Sequence, residues 1–128
     1  MPERIKRERR RGWRLPAGAV IVDRSSRFGN PFTVADCLEA WPESTEEAAR
    51  KYCVEMYRDW LNDDLDGGCG PEGTCWSAAA RDRILADLPM LHGKDLACPC
   101  PLPVPGDPDH CHAVVLLELA QAVRCGRA

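Results

Sequence analysis

The spacing of apolar side chains divides the chain into short blocks with two different periods. Ala19-Val20-Ile21-Val22-Asp23 follows Pro16-Ala17-Gly18 and is a brief β-branched run, the pattern of a buried strand. Lys94 to Cys98 reads as a second strand. Between them the period lengthens. Ala49, Tyr52, Cys53, Met56, Trp60 and Leu61 recur at three- and four-residue steps behind Ser44-Thr45-Glu46-Glu47, a hydroxyl N-cap with acids in the first turn. They predict an amphipathic helix to about Asn62, with Cys53 as a core thiol. A second helix is expected from near Trp76 to Leu88, with Ile84, Leu85 and Leu88 inward and Pro89 marking its end. A third, from Cys111 or His112 to about Arg124, would present Val115, Leu116, Leu119, Ala120 and Val123 to the core.

The segments between these blocks are polar or rich in glycine and proline. Residues 24–32 form a loop around Phe28-Gly29-Asn30-Pro31, residues 63–75 an acidic, Gly-rich surface loop, and residues 101–110 a Pro-rich loop. Residues 1–12 read either as a basic arm or as an edge strand. Strands alternating with helices give an α/β fold, a small sheet of two to four mainly parallel strands flanked by about three helices, as a single domain over 1–128. Ligands of such sheets collect where the strands end. The Arg24 to Pro31 loop and the Cys98-Pro99-Cys100 corner would therefore share one rim.

Composition narrows the classes. With 45% apolar and 29% charged residues the chain is not a disordered one. Runs such as Val114 to Leu117 are too short to cross a bilayer, and Met1-Pro2-Glu3-Arg4-Ile5-Lys6-Arg7 lacks the apolar core of a secretory signal, so no membrane partner and a cytoplasmic location are expected. In a reducing compartment eight cysteines point to metal, catalysis or buried thiols rather than disulfides. The net charge of −3 conceals an asymmetry: residues 1–30 carry nine Lys/Arg against three Asp/Glu, a net +6, and the remainder carries −9. A phosphate-bearing partner, nucleotide or nucleic acid, would be met by the N-terminal quarter.

Cys98 and Cys100 stand two apart, so on an extended segment both sulfurs face one side. Cys111 returns after the Pro-rich loop, and His112 or His110 is the natural fourth member of a zinc set; the metal-ligand candidates are Cys98, Cys100, Cys111 and His112. Adjacent Cys111 and His112 diverge by about 100° inside a regular helix, so both could ligate only where the chain is still entering it. The rival chemistry is a Cys111 thiolate activated by the helix N-terminus and His112, which makes these two the catalytic candidates. Inert packing of small thiols at a strand-to-helix corner is the third reading. Cys69 and Cys75 could form a second metal pair or be incidental thiols in a surface insertion. Arg24, Arg27, Gly29 and Asn30 suit an anion, because guanidinium forks clamp phosphate and glycine admits backbone N–H groups; a salt-bridged turn explains them nearly as well. Trp13 pins the basic segment or stacks on a base, and His92 reads as a loop histidine.

Trp13-Arg14-Leu15-Pro16, Ala19-Val20 with Arg24, Phe28-Gly29-Asn30-Pro31-Phe32, Gly93-Lys94-Asp95-Leu96-Ala97-Cys98, Cys111-His112-Ala113 and Leu116-Leu117-Glu118-Leu119-Ala120 together resemble the small bacterial and phage proteins of domain of unknown function 4326. The resemblance implies a prokaryotic or phage cytoplasmic protein in which the Gly-Asn-Pro-Phe loop and the Cys/His cluster are family features, and it supplies no reaction. The chain departs from the family in having Pro99 where Trp is usual, a longer path from Cys100 to Cys111, Val114 where an aspartate is common, and Asp23 where glycine precedes Arg24. Three functions remain open: a nucleotide- or nucleic-acid-phosphate-binding protein with a zinc-held corner, an enzyme acting on a nucleotide or nucleobase through Cys111 or a metal-bound water, and a phage inhibitor of a host protein.

Overall fold

The computed structural model describes residues 3–8, 10–23, 26, 28–62, 69–74, 76–100, 103–107 and 109–126, the last four by their backbone alone. A three-stranded parallel sheet lies at its centre. Its strands are β1 (Arg4–Lys6), β2 (Val20–Ile21) and β3 (Leu96–Cys98), in the order β1-β3-β2. Leu96 faces both Arg4 and Val20, and Ala97 faces both Ile5 and Ile21. Ladder bonds continue past the strand ends, from Arg7 N–H to the Cys98 carbonyl and from Val22 N–H to the Ala97 carbonyl, each at 2.9 Å. The apolar reading of residues 94–98 follows from this position: Leu96, Ala97 and Cys98 are all buried, as parallel strands between covering layers are.

Among the described residues the sheet is accompanied by four helices, α1 (Val34–Ala40), α2 (Glu46–Leu61), α3 (Ala78–Asp87) and α4 (His112–Gly126), of which α4 packs against β3 and β1. The α/β class is as expected, with one helix more than the pattern gave. Thr33 caps α1 by accepting from Asp36 N–H, and Thr45 caps α2 in the same way from Ala48 N–H. The buried stripe of α2 is Ala49, Cys53, Val54, Tyr57, Trp60 and Leu61. Tyr52 lies outside it: the ring is exposed and meets Trp41 edge-to-face at 5.4 Å. Helix α3 stops at Asp87, and Pro89 opens a 3-10 turn, Leu88–Leu91, instead of ending the segment. Of the residues assigned inward on α4, Val115, Leu116 and Ala120 are buried and Leu119 is half-buried. The side chain of Val123 lies outside the described residues.

Trp60, Tyr57, Phe28, Leu91 and Leu116 form the middle of one main core. Arg4–Lys6 takes the edge-strand alternative for residues 1–12. Within 63–75, Gly70 bridges Ser77 and its N–H meets the Trp76 carbonyl at 3.0 Å. A Cβ at Gly70 would stand 2.5 Å from the Trp76 indole, and Trp76 packs on Phe32 at 6.0 Å. Gly70→Ala is therefore expected to cost about 1–3 kcal/mol by overpacking. Urea unfolding checks this, and an unchanged midpoint would mean that the loop yields freely.

Candidate metal centre

Parallel strands bring their C-terminal ends to one rim. Arg7, Asp23 and the Cys98-Pro99-Cys100 corner all leave the sheet there. The Pro-rich loop then carries the chain back to Cys111, immediately before α4. The Sγ atoms of Cys98 and Cys100 are 3.6 Å apart, and those of Cys98, Cys100 and Cys111 all lie within 4.8 Å of one another. Thiolates about 2.3 Å from a tetrahedral metal stand about 3.8 Å apart. The sulfur triangle thus fits three vertices of a tetrahedron, and the cluster could hold a metal ion. Among the described residues no histidine or carboxylate joins these three at that spacing. The six described cysteines with side chains are free thiols.

The remaining sequence candidates occupy different places. His112 is buried and its Nε2 donates to the Val22 carbonyl, tying the start of α4 to the end of β2; its ring also meets Tyr57 edge-to-face at 5.4 Å. The divergence expected of neighbours entering a helix is realised: the Cys111 sulfur turns to the cluster and the His112 ring toward the sheet. His110 is half-buried, with Nε2 3.9 Å from a Glu47 carboxylate oxygen. Asn30 is buried, and its amide is engaged at both ends, donating to the Cys53 carbonyl at 3.0 Å and accepting from Phe32 N–H at 2.9 Å. Gly29 is half-buried, with its N–H on the Ser26 carbonyl. Arg24, Arg27 and Cys75 lie outside the described residues. Cys69 packs against the main core, while Cys53 belongs to a small apolar cluster with Cys37 and Ala49. His92, in the turn before β3, has its Nε2 buried without a hydrogen-bond partner among the described residues.

Two N-terminal arginines have internal partners. Arg4 is held bidentately by Asp109 and also donates to the Cys100 carbonyl at 2.9 Å. Arg7 pairs with buried Asp23. Part of the +6 charge of residues 1–30 is therefore neutralised inside the fold.

The three thiols share protons. The Cys111 and Cys98 thiols donate toward Cys100, and with nearby His112 and Arg4 they hold the Cys100 thiol far below its usual range. Cys111 is pushed far up, because bonding to Cys100 and Cys98 and burial keep its proton in place. Cys98 is raised to about 11, chiefly by its bond to Cys100. Thiolate character thus settles on Cys100, which is half-buried, whereas Cys111 is 1% exposed. For the metal-free protein this predicts that iodoacetamide at neutral pH labels Cys100 before Cys98 or Cys111, as read by peptide mass spectrometry. Faster labelling of Cys111 would reverse the assignment.

A cavity of about 410 Å³ opens beside the cluster. Its lining takes in Cys98 to Cys100 with His110 to His112, the apolar Phe32 and Val34, and Asp23 and Asn30. Helix α2 supplies the rest of the lining through Glu46, Arg50, Cys53 and Val54, which recur with helical spacing. Of these, Glu46, Arg50 and Val54 carry no signal for a site in the chain's motifs. The periodic face of α2 was the available clue, since Cys53 already marked its inward side.

No curated protein and no solved structure matches the chain. The family comparison does give a match, to Domain of unknown function (DUF4326) over residues 5–122, which takes in the sheet, the cysteine cluster and the α2 wall. With nearly its whole length covered, the chain belongs to the domain of unknown function 4326 family.

Proposed function

We propose that the protein binds a nucleotide at the strand rim, in a pocket whose cysteine wall holds zinc on Cys98, Cys100 and Cys111. The observation that carries the reading is the triangle of sulfurs on the wall of a cavity of about 410 Å³. Such a volume falls within the range of about 300–1,000 Å³ that small-molecule sites occupy. Soft thiolates favour zinc over hard cations. In this reading His112 supports the cluster by fixing the first turn of α4, and His110, which also lines the pocket, is the candidate for a fourth protein ligand.

A second reading, an enzyme acting on a nucleotide or nucleobase, has one specific observation in its favour. Three thiolates leave one tetrahedral vertex open, as catalytic zinc sites do and closed structural sites do not. Zinc bound there would supply Lewis acidity and an acidified water. The chain's own residues would orient the substrate through Asp23, Arg50 and His110 on the pocket wall.

Cobalt substitution tests the metal and separates these readings. Co²⁺ added to metal-free protein should produce intense sulfur-to-cobalt bands with a tetrahedral d–d spectrum. An exogenous ligand such as azide should perturb that spectrum if the fourth vertex is open and leave it unchanged if the site is closed. Absence of the sulfur bands at stoichiometric cobalt would remove the metal centre.

A further inference from the structure

The α2 part of the cavity lining carries a charge that the fold does not use. Arg50 is half-buried on the cavity face of α2 and has no hydrogen-bond or ion-pair partner among the described residues. Arginines withdrawn from water are ordinarily paired. The neighbouring pattern makes the exception specific. Arg4 has Asp109 and Arg7 has Asp23, while Arg58, farther along α2, has Glu118. Glu46, one turn before Arg50, also lines the cavity but forms no ion pair with it. Its place in the first turn of α2 is explained by the helix dipole.

Arg50 is also the one Lys or Arg among the described residues lining the cavity. A triphosphate or a strand of nucleic acid presents several charges and calls for several cations or a basic groove. One guanidinium fork matches one oxyanion group. A cavity of about 410 Å³ has room for a single nucleoside-sized molecule. Resting on the nucleotide reading above, we propose that the pocket takes a nucleoside monophosphate whose single phosphate is held by Arg50, in the cavity that the three cysteines also line. The apolar lining from Phe32, Val34 and Val54 then meets the body of the nucleoside.

Isothermal titration of the zinc-loaded full chain tests this, using the four ribonucleoside 5′-monophosphates, adenosine triphosphate and a 20-nucleotide oligothymidylate as probes. At least one monophosphate should bind, and no triphosphate or strand should bind more tightly. Arg50→Ala should weaken that binding at least tenfold and Arg50→Lys by less, with Arg24→Ala and Arg27→Ala each changing it less than threefold. Near-UV circular dichroism of the buried Trp60 and Tyr57 verifies that the variants keep the fold. Monophosphate binding unchanged in Arg50→Ala, a loss carried by Arg24→Ala or Arg27→Ala instead, or tighter binding of triphosphate or strand would overturn the assignment of Arg50 while leaving a nucleotide site standing. Failure of every nucleotide probe to bind would remove both.

Discussion

Chelating zinc from the loaded protein is expected to lower its melting midpoint by about 12–20 °C. The argument starts from linkage: a ligand present at a thousandfold excess over its Kd stabilises the native state by about 4 kcal/mol. For a chain of 128 residues, each kcal/mol corresponds to about 3–5 °C. The cluster joins two consecutive elements across the Pro-rich return, since Cys98 ends β3, Cys100 follows it and Cys111 immediately precedes α4. A metal bridging them resists separation of the strand from the helix. Cys98→Ser should weaken zinc binding by at least about 100-fold and abolish the chelator effect, because losing a ligand costs more than losing an outer partner. Cys69→Ser, outside the cluster, should preserve it. The same binding must depend on pH. With Cys100 ionised and Cys98 and Cys111 holding their protons, metal entry releases about two protons, so affinity should rise about 100-fold per pH unit near neutrality and fall correspondingly below it. A midpoint insensitive to chelator, with no proton release in buffers of different ionisation enthalpy, would dismiss the zinc centre.

The walls of this site were unequally legible. Cys98 and Cys100 could be paired from sequence because strand alternation is a local rule, and the parallel sheet then carries both to the rim by construction. Cys111 followed from the Pro-rich return. Arg50 was hidden because a charged residue among Arg50, Lys51 and Glu55 reads as part of a solvated helix face. Only the placement of α2 against the rim turns that face into a pocket wall. Tyr52 erred in the other direction: an apolar ring satisfied the helical period, yet the stripe runs through Val54 and Tyr57, and Tyr52 packs sideways on Trp41. Helix α1 was missed because its seven residues offer only Val34, Cys37 and Leu38 as larger apolar positions, too few to establish a period. Thr33 with Asp36 was the signal that would have found it. The charge count overstated the basic surface for a related reason. It treats Arg4 and Arg7 as solvated, and their acidic partners cannot be recognised before the chain is folded.

Arg4→Ala is expected to be among the most destabilising single substitutions, at about 3–5 kcal/mol. Its side chain is only 3% exposed, and its guanidinium grips Asp109 with two nitrogens while a third contact caps the Cys100 carbonyl. Removing it leaves a largely buried carboxylate and a carbonyl without this donor, the situation in which breaking one partner of an ion pair costs most. The damage reaches the site because Asp109 closes the Pro-rich loop two residues before Cys111. Without Arg4, the loop loses its attachment to β1 beside the cysteine corner, so zinc affinity should fall together with stability although Arg4 is no ligand. Arg4→Lys should recover little, since one ammonium cannot span both carboxylate oxygens and the Cys100 carbonyl in the same fork. A double-mutant cycle with Asp109→Asn separates the contributions: the double variant should lose less than the two single losses combined, because the second substitution removes the stranded charge. Strict additivity in urea unfolding would show that the pair is not coupled, and an Arg4→Ala protein with unaltered zinc affinity would show that the loop finds its place without it.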